Sequence, residues 1–194
     1  MENKKIVFID RDGVIIVERN YAYKPEDLEF IPGSIEAMKA LAENGFELAI
    51  VSNQSGIGRG YFTLEDYNAF TAAMLRALKE RGVAIGSVQY CPHHPTKGLG
   101  IYKIDCVCRK PKTGMFEKAA VELGLDAKGA WLIGDKTTDI KAGRDFGCRT
   151  ILVKTGFGGL DKEADVAPDN IAEDLEQAAL IIIENEKRAC SANG

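Results

Sequence analysis

The sequence predicts an α/β protein, a three-layer α/β/α sandwich with a central parallel sheet. Short runs rich in β-branched residues alternate with stretches whose apolar residues recur at helical spacing, which is the pattern of parallel strands joined by helices. The 194 residues are 45% hydrophobic and 8% aromatic, as in ordinary globular domains. We expect one domain over residues 1–190 and a frayed tail at residues 191–194.

The first half of the chain opens with a strand. Residues 5–9 form a short β-branched run that ends at Asp10, as a buried parallel strand would. A helix follows Pro32-Gly33, because residues 35, 38, 41 and 42 are apolar at helical spacing, and Gly45 closes it. The next predicted elements are a strand at residues 46–51, an amphipathic helix from an N-cap at Thr63 to Gly82, and a strand at residues 87–90.

The second half resumes the alternation after a cysteine-rich loop. We predict a helix at residues 113–123, a strand at 130–133, a helix at 138–146 and a strand at 150–153. Residues 156–168 are predicted to be loop with a short strand near Val166, and the final helix is predicted at residues 171–187. This order favours a parallel sheet that is covered by helices on both faces.

Charge and the amino terminus limit the class of partner. The formal net charge of −4 provides no general attraction for nucleic acid or anionic lipid. The charged residues 1–5 lead directly into apolar residues 6–9, a stretch too short for a secretory signal or a membrane span. We expect a cytoplasmic monomer that binds a small molecule, with no nucleic-acid or membrane partner.

Acidic residues follow two of the predicted strands. Asp10 and Asp12 come directly after the first strand, and Asp135 and Asp139 follow the strand at residues 130–133. Because ligand sites of open α/β sheets lie at the carboxyl ends of the strands, we expect these carboxylates to face one pocket. Carboxylate oxygens are hard ligands that suit Mg²⁺.

Groups that can bind an anion lie between the two acidic segments. The strand at residues 46–51 is followed by Ser52-Asn53-Gln54-Ser55-Gly56, which can offer hydroxyl and backbone N–H groups. Lys110 adds a compact positive charge. A carboxylate nucleophile, a metal, a hydroxyl and a lysine together are what phosphoryl transfer requires.

These segments, in this order, resemble the four motifs of the haloacid dehalogenase superfamily. The resemblance implies a Rossmann-like sandwich of that type in which Asp10 is the nucleophile and Asp12 is the acid/base. Ser52 and Lys110 would hold the phosphoryl group that is transferred. The sequence leaves no room for a large cap domain after Asp12 or after Ser52.

The same resemblance implies a catalytic Mg²⁺ site. Asp135 would complete it together with the Asp10 carboxylate and the backbone carbonyl of Asp12. Asp139 would steady either the metal shell or Lys110.

A second set of metal ligands lies in the loop at residues 91–108. Cys91 and His93 are separated by twelve residues from Cys106 and Cys108, and such soft ligands suit tetrahedral Zn²⁺. Four protein ligands leave no open position, so we predict a structural zinc. His94 is expected to point elsewhere, and its replacement of His93 is the alternative.

Three longer motifs resemble a narrower family. Cys-Pro-His-His-Pro at residues 91–95, Cys-x-Cys-Arg-Lys-Pro at 106–111 and Asn-Gln-Ser-Gly-Ile-x-Arg-Gly at 53–60 are similar to those of D-glycero-D-manno-heptose 1,7-bisphosphate 7-phosphatases. The resemblance implies hydrolysis of the 7-phosphate through an aspartyl-phosphate intermediate. It also implies a place in nucleotide-heptose synthesis for surface glycans such as lipopolysaccharide.

The family also implies which residues contact the sugar phosphate. For Arg109 and Lys136 the chemistry agrees, since the phosphate that is not cleaved needs a cation. Glu18 and Arg19 could equally form a surface pair, and Arg59 is expected to serve local loop structure. The substrate-binding residues implied by position are Glu18, Arg19, Asn20, Tyr21, Ser52, Asn53, Gln54, Ser55, Arg109, Lys110 and Lys136.

Two rival functions share part of the pattern. A histidinol-phosphate phosphatase has the nucleophile motifs and a zinc loop, but its loop is typically shorter than the one between His93 and Cys106. A zinc-loop module that binds nucleic acid would need a basic patch interleaved with aromatic residues. The acidic net charge argues against that module.

Overall fold

The computed structural model describes residues 4–192 and contains a six-stranded sheet in which every neighbouring pair is parallel. The strand order is β3-β2-β1-β4-β5-β6, which is that of a doubly wound α/β fold and confirms the predicted fold class. The strands are β1 (Lys5–Ile9), β2 (Phe46–Asn53), β3 (Ser87–Cys91), β4 (Trp131–Gly134), β5 (Arg149–Val153) and β6 (Asn170–Ala172).

Helices connect these strands. The long α3 begins as expected at Thr63, whose hydroxyl accepts a hydrogen bond from the Asp66 amide at 3.1 Å, while the Asp66 carboxylate accepts one from the Thr63 amide at 2.8 Å. The helices are α1 (Ser34–Glu43), α2 (Ser55–Gly58), α3 (Leu64–Glu80), α4 (Gly114–Leu123), α5 (Thr137–Phe146) and α6 (Leu175–Ala192), with 3-10 turns at Pro25–Asp27 and Gly100–Tyr102.

The sheet is covered on both faces, which is why β1 is apolar throughout. Val7 and Ile9 lie in a buried cluster with residues of α1, α3 and α6. Ile6 and Phe8 point to the other face, where Phe8 packs against Phe116 of α4 with the ring centroids 4.9 Å apart. Alternate residues of one strand thus fill two cores, and the result is the three-layer sandwich.

The structure differs from the prediction near the carboxyl terminus. Val166 lies in a loop, and the last strand is β6, so α6 begins at Leu175 rather than at Ile171. A strand of three residues has no readable alternation, and its identity comes from pairing with β5, where Ile171 is opposite Leu152. Residues 191 and 192 of the predicted tail belong to α6, and residues 193 and 194 lie outside the described part.

Two further features bear on the site. Residues 4–192 contain no separate cap domain: 11–33 are loop, isolated bridges and a 3-10 turn, and α2 and α3 lie between β2 and β3. Within the same residues, no helix combines the length and the apolar character that crossing a membrane requires.

Candidate active site

A cavity of about 220 Å³ opens at the carboxyl ends of β1 and β2, in the middle of the sheet. The parallel order brings together side chains that are far apart in sequence, because ligand sites of open α/β sheets lie at the carboxyl ends of the strands. The predicted site residues that line it are Asp10, Asp12, Glu18, Asn20, Tyr21, Ser52, Asn53, Gln54, Ser55, Arg109, Lys110, Lys136 and Asp139.

Lys110 lies buried at the floor of this cavity. Its ammonium group donates to the Val51 carbonyl at 2.7 Å and lies 2.9 Å from Asp10 Oδ1 and 2.8 Å from Asp139 Oδ1. Burial by itself would lower the pKa of Lys110, but the two carboxylates raise it above the ordinary value. All three N–H groups face an acceptor, so the lysine is held as a cation.

Asn53 fixes the backbone of Lys110 from the neighbouring strand. Its amide group donates to the Lys110 carbonyl at 3.1 Å, and its oxygen accepts from the Lys110 N–H at 3.0 Å. Both polar ends of this side chain are thereby used. Asn53 lines the cavity, but its side chain positions Lys110.

Asp10, Asp135 and Asp139 form a buried acidic cluster, with one oxygen of each within 4.8 Å of the others. Burial raises the pKa of Asp10 to about 6, an effect that Lys110 opposes. Burial and the neighbouring Asp139 and Asp10 raise the pKa of Asp135 to about 8. Among residues 4–192, Asp135 Oδ1 is buried and has no hydrogen-bond partner. Converging carboxylates with an oxygen left over fit a hard divalent cation.

The loop after β5 holds Asp135 in place, a contribution that the sequence motifs did not predict. The N–H of Phe157 donates to Asp135 Oδ2 at 2.7 Å, and the Thr155 hydroxyl donates to the Gly13 carbonyl at 2.6 Å. Gly156 has φ +62, and a Cβ there would lie 2.2 Å from Asp135 Oδ2. The sequence signal was Thr155-Gly156 just after a strand end.

Arg11 is a second residue that the motifs did not identify. It is 2% exposed, and its guanidinium binds the Asp12 carboxylate through Nε at 3.0 Å and Nη2 at 2.9 Å. Gln54 accepts from Arg11 at 3.1 Å and donates to Asp12 at 2.8 Å and to the Ser52 hydroxyl at 2.8 Å. The guanidinium lies 4.9 Å from the ring centroid of Phe70. The sequence signal for Arg11 was its position between two acidic residues, directly after a buried strand.

The mouth of the cavity is lined by further charged groups. Lys136 Nζ lies 3.8 Å from a Glu18 oxygen and 4.3 Å from the ring centroid of Phe157. Burial would lower the pKa of Lys136, but Asp10 and the other nearby carboxylates raise it. Arg109 donates to the His93 carbonyl at 3.4 Å.

Three of the four residues in the loop at 18–21 line the cavity. Asn20 and Tyr21 line it and adopt positive φ values of 49 and 81, which non-glycine residues rarely do. The Asn20 N–H donates to Glu18 at 2.7 Å and closes this turn. Arg19 is exposed, pairs with Glu29 and does not line the cavity.

Cys91, His93, Cys106 and Cys108 converge at the end of β3. Their sulfur atoms are 3.0 to 3.4 Å apart, and His93 Nδ1 lies 3.4 Å from the Cys108 sulfur. The hydrogen bond between Cys108 and Cys91 lowers the pKa of Cys108 to about 5. Three sulfurs and one imidazole around a point are a donor set for tetrahedral Zn²⁺. His94 accepts from the Lys97 N–H at 3.1 Å and is not part of the cluster.

This chain is similar in sequence to a known family model and to heptose bisphosphate phosphatases. The family model described as HAD-hydrolase-like matches residues 107–178. A D-glycero-beta-D-manno-heptose-1,7-bisphosphate 7-phosphatase of Pasteurella multocida is 44% identical over 154 residues, 79% of this chain and 83% of that protein. A D-glycero-alpha-D-manno-heptose-1,7-bisphosphate 7-phosphatase of Photorhabdus laumondii is 43% identical over 153 residues, 78% of this chain and 84% of that protein.

Solved structures agree with these sequence relatives. The D,D-heptose 1,7-bisphosphate phosphatase of B. bronchiseptica, complexed with magnesium and phosphate, superposes with a TM-score of 0.82 at 30% identity. The match covers 93% of this chain and 99% of that one. The D,D-heptose 1,7-bisphosphate phosphatase of Burkholderia thailandensis has a TM-score of 0.68 at 30% identity, with coverage of 93% and 99%.

Proposed function

Because the chain belongs to the D-glycero-D-manno-heptose-1,7-bisphosphate 7-phosphatases, which are haloacid dehalogenase-like hydrolases, we propose that it hydrolyses the 7-phosphate of that sugar bisphosphate. The observation that carries the proposal is Asp10, a carboxylate buried at the carboxyl end of β1 beside Lys110, which faces a cavity with further cations at its mouth. The chain is a phosphatase, and its chemistry passes through an aspartyl-phosphate.

Asp10 is the nucleophile in this mechanism. One carboxylate oxygen attacks phosphorus, the bond from phosphorus to the C7 oxygen breaks, and Asp12 donates a proton to that leaving oxygen. Water then attacks the phosphorus of the aspartyl-phosphate while Asp12 takes a proton from the water. Inorganic phosphate leaves, and both carboxyl groups return to their starting states.

Arg11 and Gln54 orient the acid/base. In this structure they bind both oxygens of Asp12, at 2.8 to 3.0 Å. A fork-like arginine contact fixes the plane of a carboxylate as well as its position. Ser52, whose hydroxyl lies 3.4 Å from Asp12, is placed to hold the transferred phosphoryl group together with Lys110.

Asp10, Asp135 and the backbone carbonyl of Asp12 would hold the catalytic Mg²⁺. When bound, the ion supplies positive charge that neutralises the phosphoryl oxygens. The unpartnered Asp135 Oδ1 supports this ligand set. Asp139 is committed to Lys110 and to the Lys136 N–H at 3.1 Å, so its role is to steady the lysine.

The loop cluster Cys91, His93, Cys106 and Cys108 would hold a structural Zn²⁺. With four protein ligands, a Zn²⁺ held there would have no open coordination position and would serve the structure rather than the reaction. Cys108 directly precedes Arg109 and Lys110, so the metal fixes the segment that carries both cations. Arg109 and Lys136 bind the phosphate that is not cleaved, and Glu18, Asn20 and Tyr21 border the sugar.

The decisive experiment is a comparison of kcat/KM on four substrates: both anomers of the heptose bisphosphate, histidinol phosphate and an aryl phosphate. Both anomers are measured because relatives of either name match at similar identity. We expect a bisphosphate to be preferred by at least about a hundredfold, since the second phosphate adds charge-assisted contacts. Preference for histidinol phosphate would contradict the proposal. We also propose that the enzyme is a cytoplasmic monomer.

A further inference from the structure

We propose that Arg59 binds the phosphate that is not cleaved, together with Arg109, and thereby sets the preference for a bisphosphate over a monophosphate. Arg59 ends α2 and lines the same cavity as Arg109. The inference rests on the proposed function and adds to it a specificity residue that the sequence suggested was only part of the local loop structure.

The first argument is the pairing of charges around the cavity. Five cationic side chains line it, and three of them have a carboxylate partner within 4.0 Å. Among residues 4–192, no carboxylate lies that close to either of the remaining two, Arg59 and Arg109. The paired cations are Arg11 with Asp12, Lys110 with Asp10 and Asp139, and Lys136 with Glu18.

The second argument is the state of the Arg59 side chain. Its Nε is buried and has no hydrogen-bond partner in the described part of the chain. The guanidinium lies 6.0 Å from the ring centroid of Tyr21, and the Arg59 N–H is fixed by the Ser55 carbonyl at 3.0 Å. A buried donor without an acceptor is costly, and an anionic ligand in the cavity would supply the acceptor.

The third argument is that the charge of the two arginines that line this cavity matches the charge of a phosphate group. A phosphate monoester carries a charge of about −1.5 to −2 at neutral pH, which two guanidinium groups match. Guanidinium also binds phosphate in a bidentate manner. Lys136 differs because Glu18 already partly neutralises it.

The test compares heptose 1,7-bisphosphate with heptose 7-phosphate, which lacks only the second phosphate. We expect R59A to lower kcat/KM on the bisphosphate by roughly ten- to a hundredfold and on the 7-phosphate by less than about threefold. R59K, which keeps the charge and loses the fork, should lie between wild type and R59A on the bisphosphate. R76A removes the same charge from an exposed residue of α3 outside the cavity and serves as the matched control.

The double variant R59A/R109A should keep only the smaller preference for the bisphosphate that Lys136 provides. Equal losses on both substrates in R59A and R59K, or no loss on the bisphosphate, would overturn the role of Arg59 and leave the phosphatase assignment in place. A wild-type enzyme that does not prefer the bisphosphate would instead contradict the proposed function, and this inference with it.

Discussion

The buried charged side chains at the floor of the cavity stabilise one another in pairs. Lys110 is almost fully buried between Asp10 and Asp139, and Arg11 is buried against Asp12. Removing one partner of such a pair leaves an uncompensated buried charge, which usually destabilises a protein. Substitutions that keep size and hydrogen bonding are therefore the informative ones at this site.

Asp10→Asn is such a substitution. The amide retains the shape of the side chain but lacks the attacking oxyanion, so we expect kcat for phosphate release to fall by at least ~10³-fold. Asp145→Asn is the control, because Asp145 is an exposed aspartate of α5 that pairs with Lys141 at 2.9 Å. Retention of more than about a tenth of the wild-type kcat in Asp10→Asn would rule out Asp10 as the nucleophile.

At the scale of elements, the loop at residues 155–157 acts as a support for the acidic cluster. Gly156 passes so close to Gly13 that an added Cβ would lie 2.7 Å from the Gly13 Cα. The two neighbours of Gly156 hold Gly13 and Asp135 by hydrogen bonds. Partners that orient a metal ligand typically change metal affinity by about 10- to 100-fold when they are lost.

Gly156→Ala should therefore weaken Mg²⁺ activation. The methyl group must displace the Asp135 carboxylate, and the positive φ adds strain. We expect the Mg²⁺ concentration for half-maximal activity to rise at least about tenfold. Gly158→Ala is matched, since Gly158 also has a positive φ of +55 but its nearest neighbour is the Lys154 carbonyl at 3.1 Å. An equal shift in both variants would assign the effect to backbone strain.

The segment after β3 couples the thiol cluster to the site. Cys106→Ser should release the zinc, free the chain that leads to Arg109 and Lys110, raise KM severalfold and lower the melting temperature by at least about 5 °C. Elemental analysis and thermal unfolding measure these effects. Cys148→Ala, which removes a buried thiol outside the cluster, should keep the zinc content of the wild type. Wild-type protein purified without chelators and free of zinc would contradict the assignment.

Features that depend on neighbouring residues in the chain could be predicted from the sequence. Features that depend on pairing between distant segments could not. Polar residues at the carboxyl ends of β1 and β2, such as Asp10 and Ser52, lie at the cavity because parallel strands share one carboxyl edge. Phe157 and β6 were not predicted. Their positions depend on loops and pairings across the sheet, which leave no periodic pattern in the sequence.

For the molecule as a whole, the fold and the two metal sites rely on different forces. Two apolar clusters hold helices against opposite faces of the sheet. The hard oxygen ligands lie at the ends of β1 and β4, whereas the soft ligands lie in a loop that begins at β3. Burial of apolar area dominates folding free energy, so the sheet should not need the Mg²⁺ site to form.

This separation predicts different responses to the loss of each metal. A brief treatment with a mild chelator should remove Mg²⁺ and abolish phosphate release, and added Mg²⁺ should restore it, because the carboxylate site is open to the cavity. Far-UV circular dichroism and the zinc content should stay unchanged, since the thiol cluster is buried and has four ligands. The Cys106→Ser variant should already be destabilised before the chelator is added. Loss of the helical signal together with activity in the wild type would indicate that the Mg²⁺ site is needed for folding, contrary to the arrangement of the two cores.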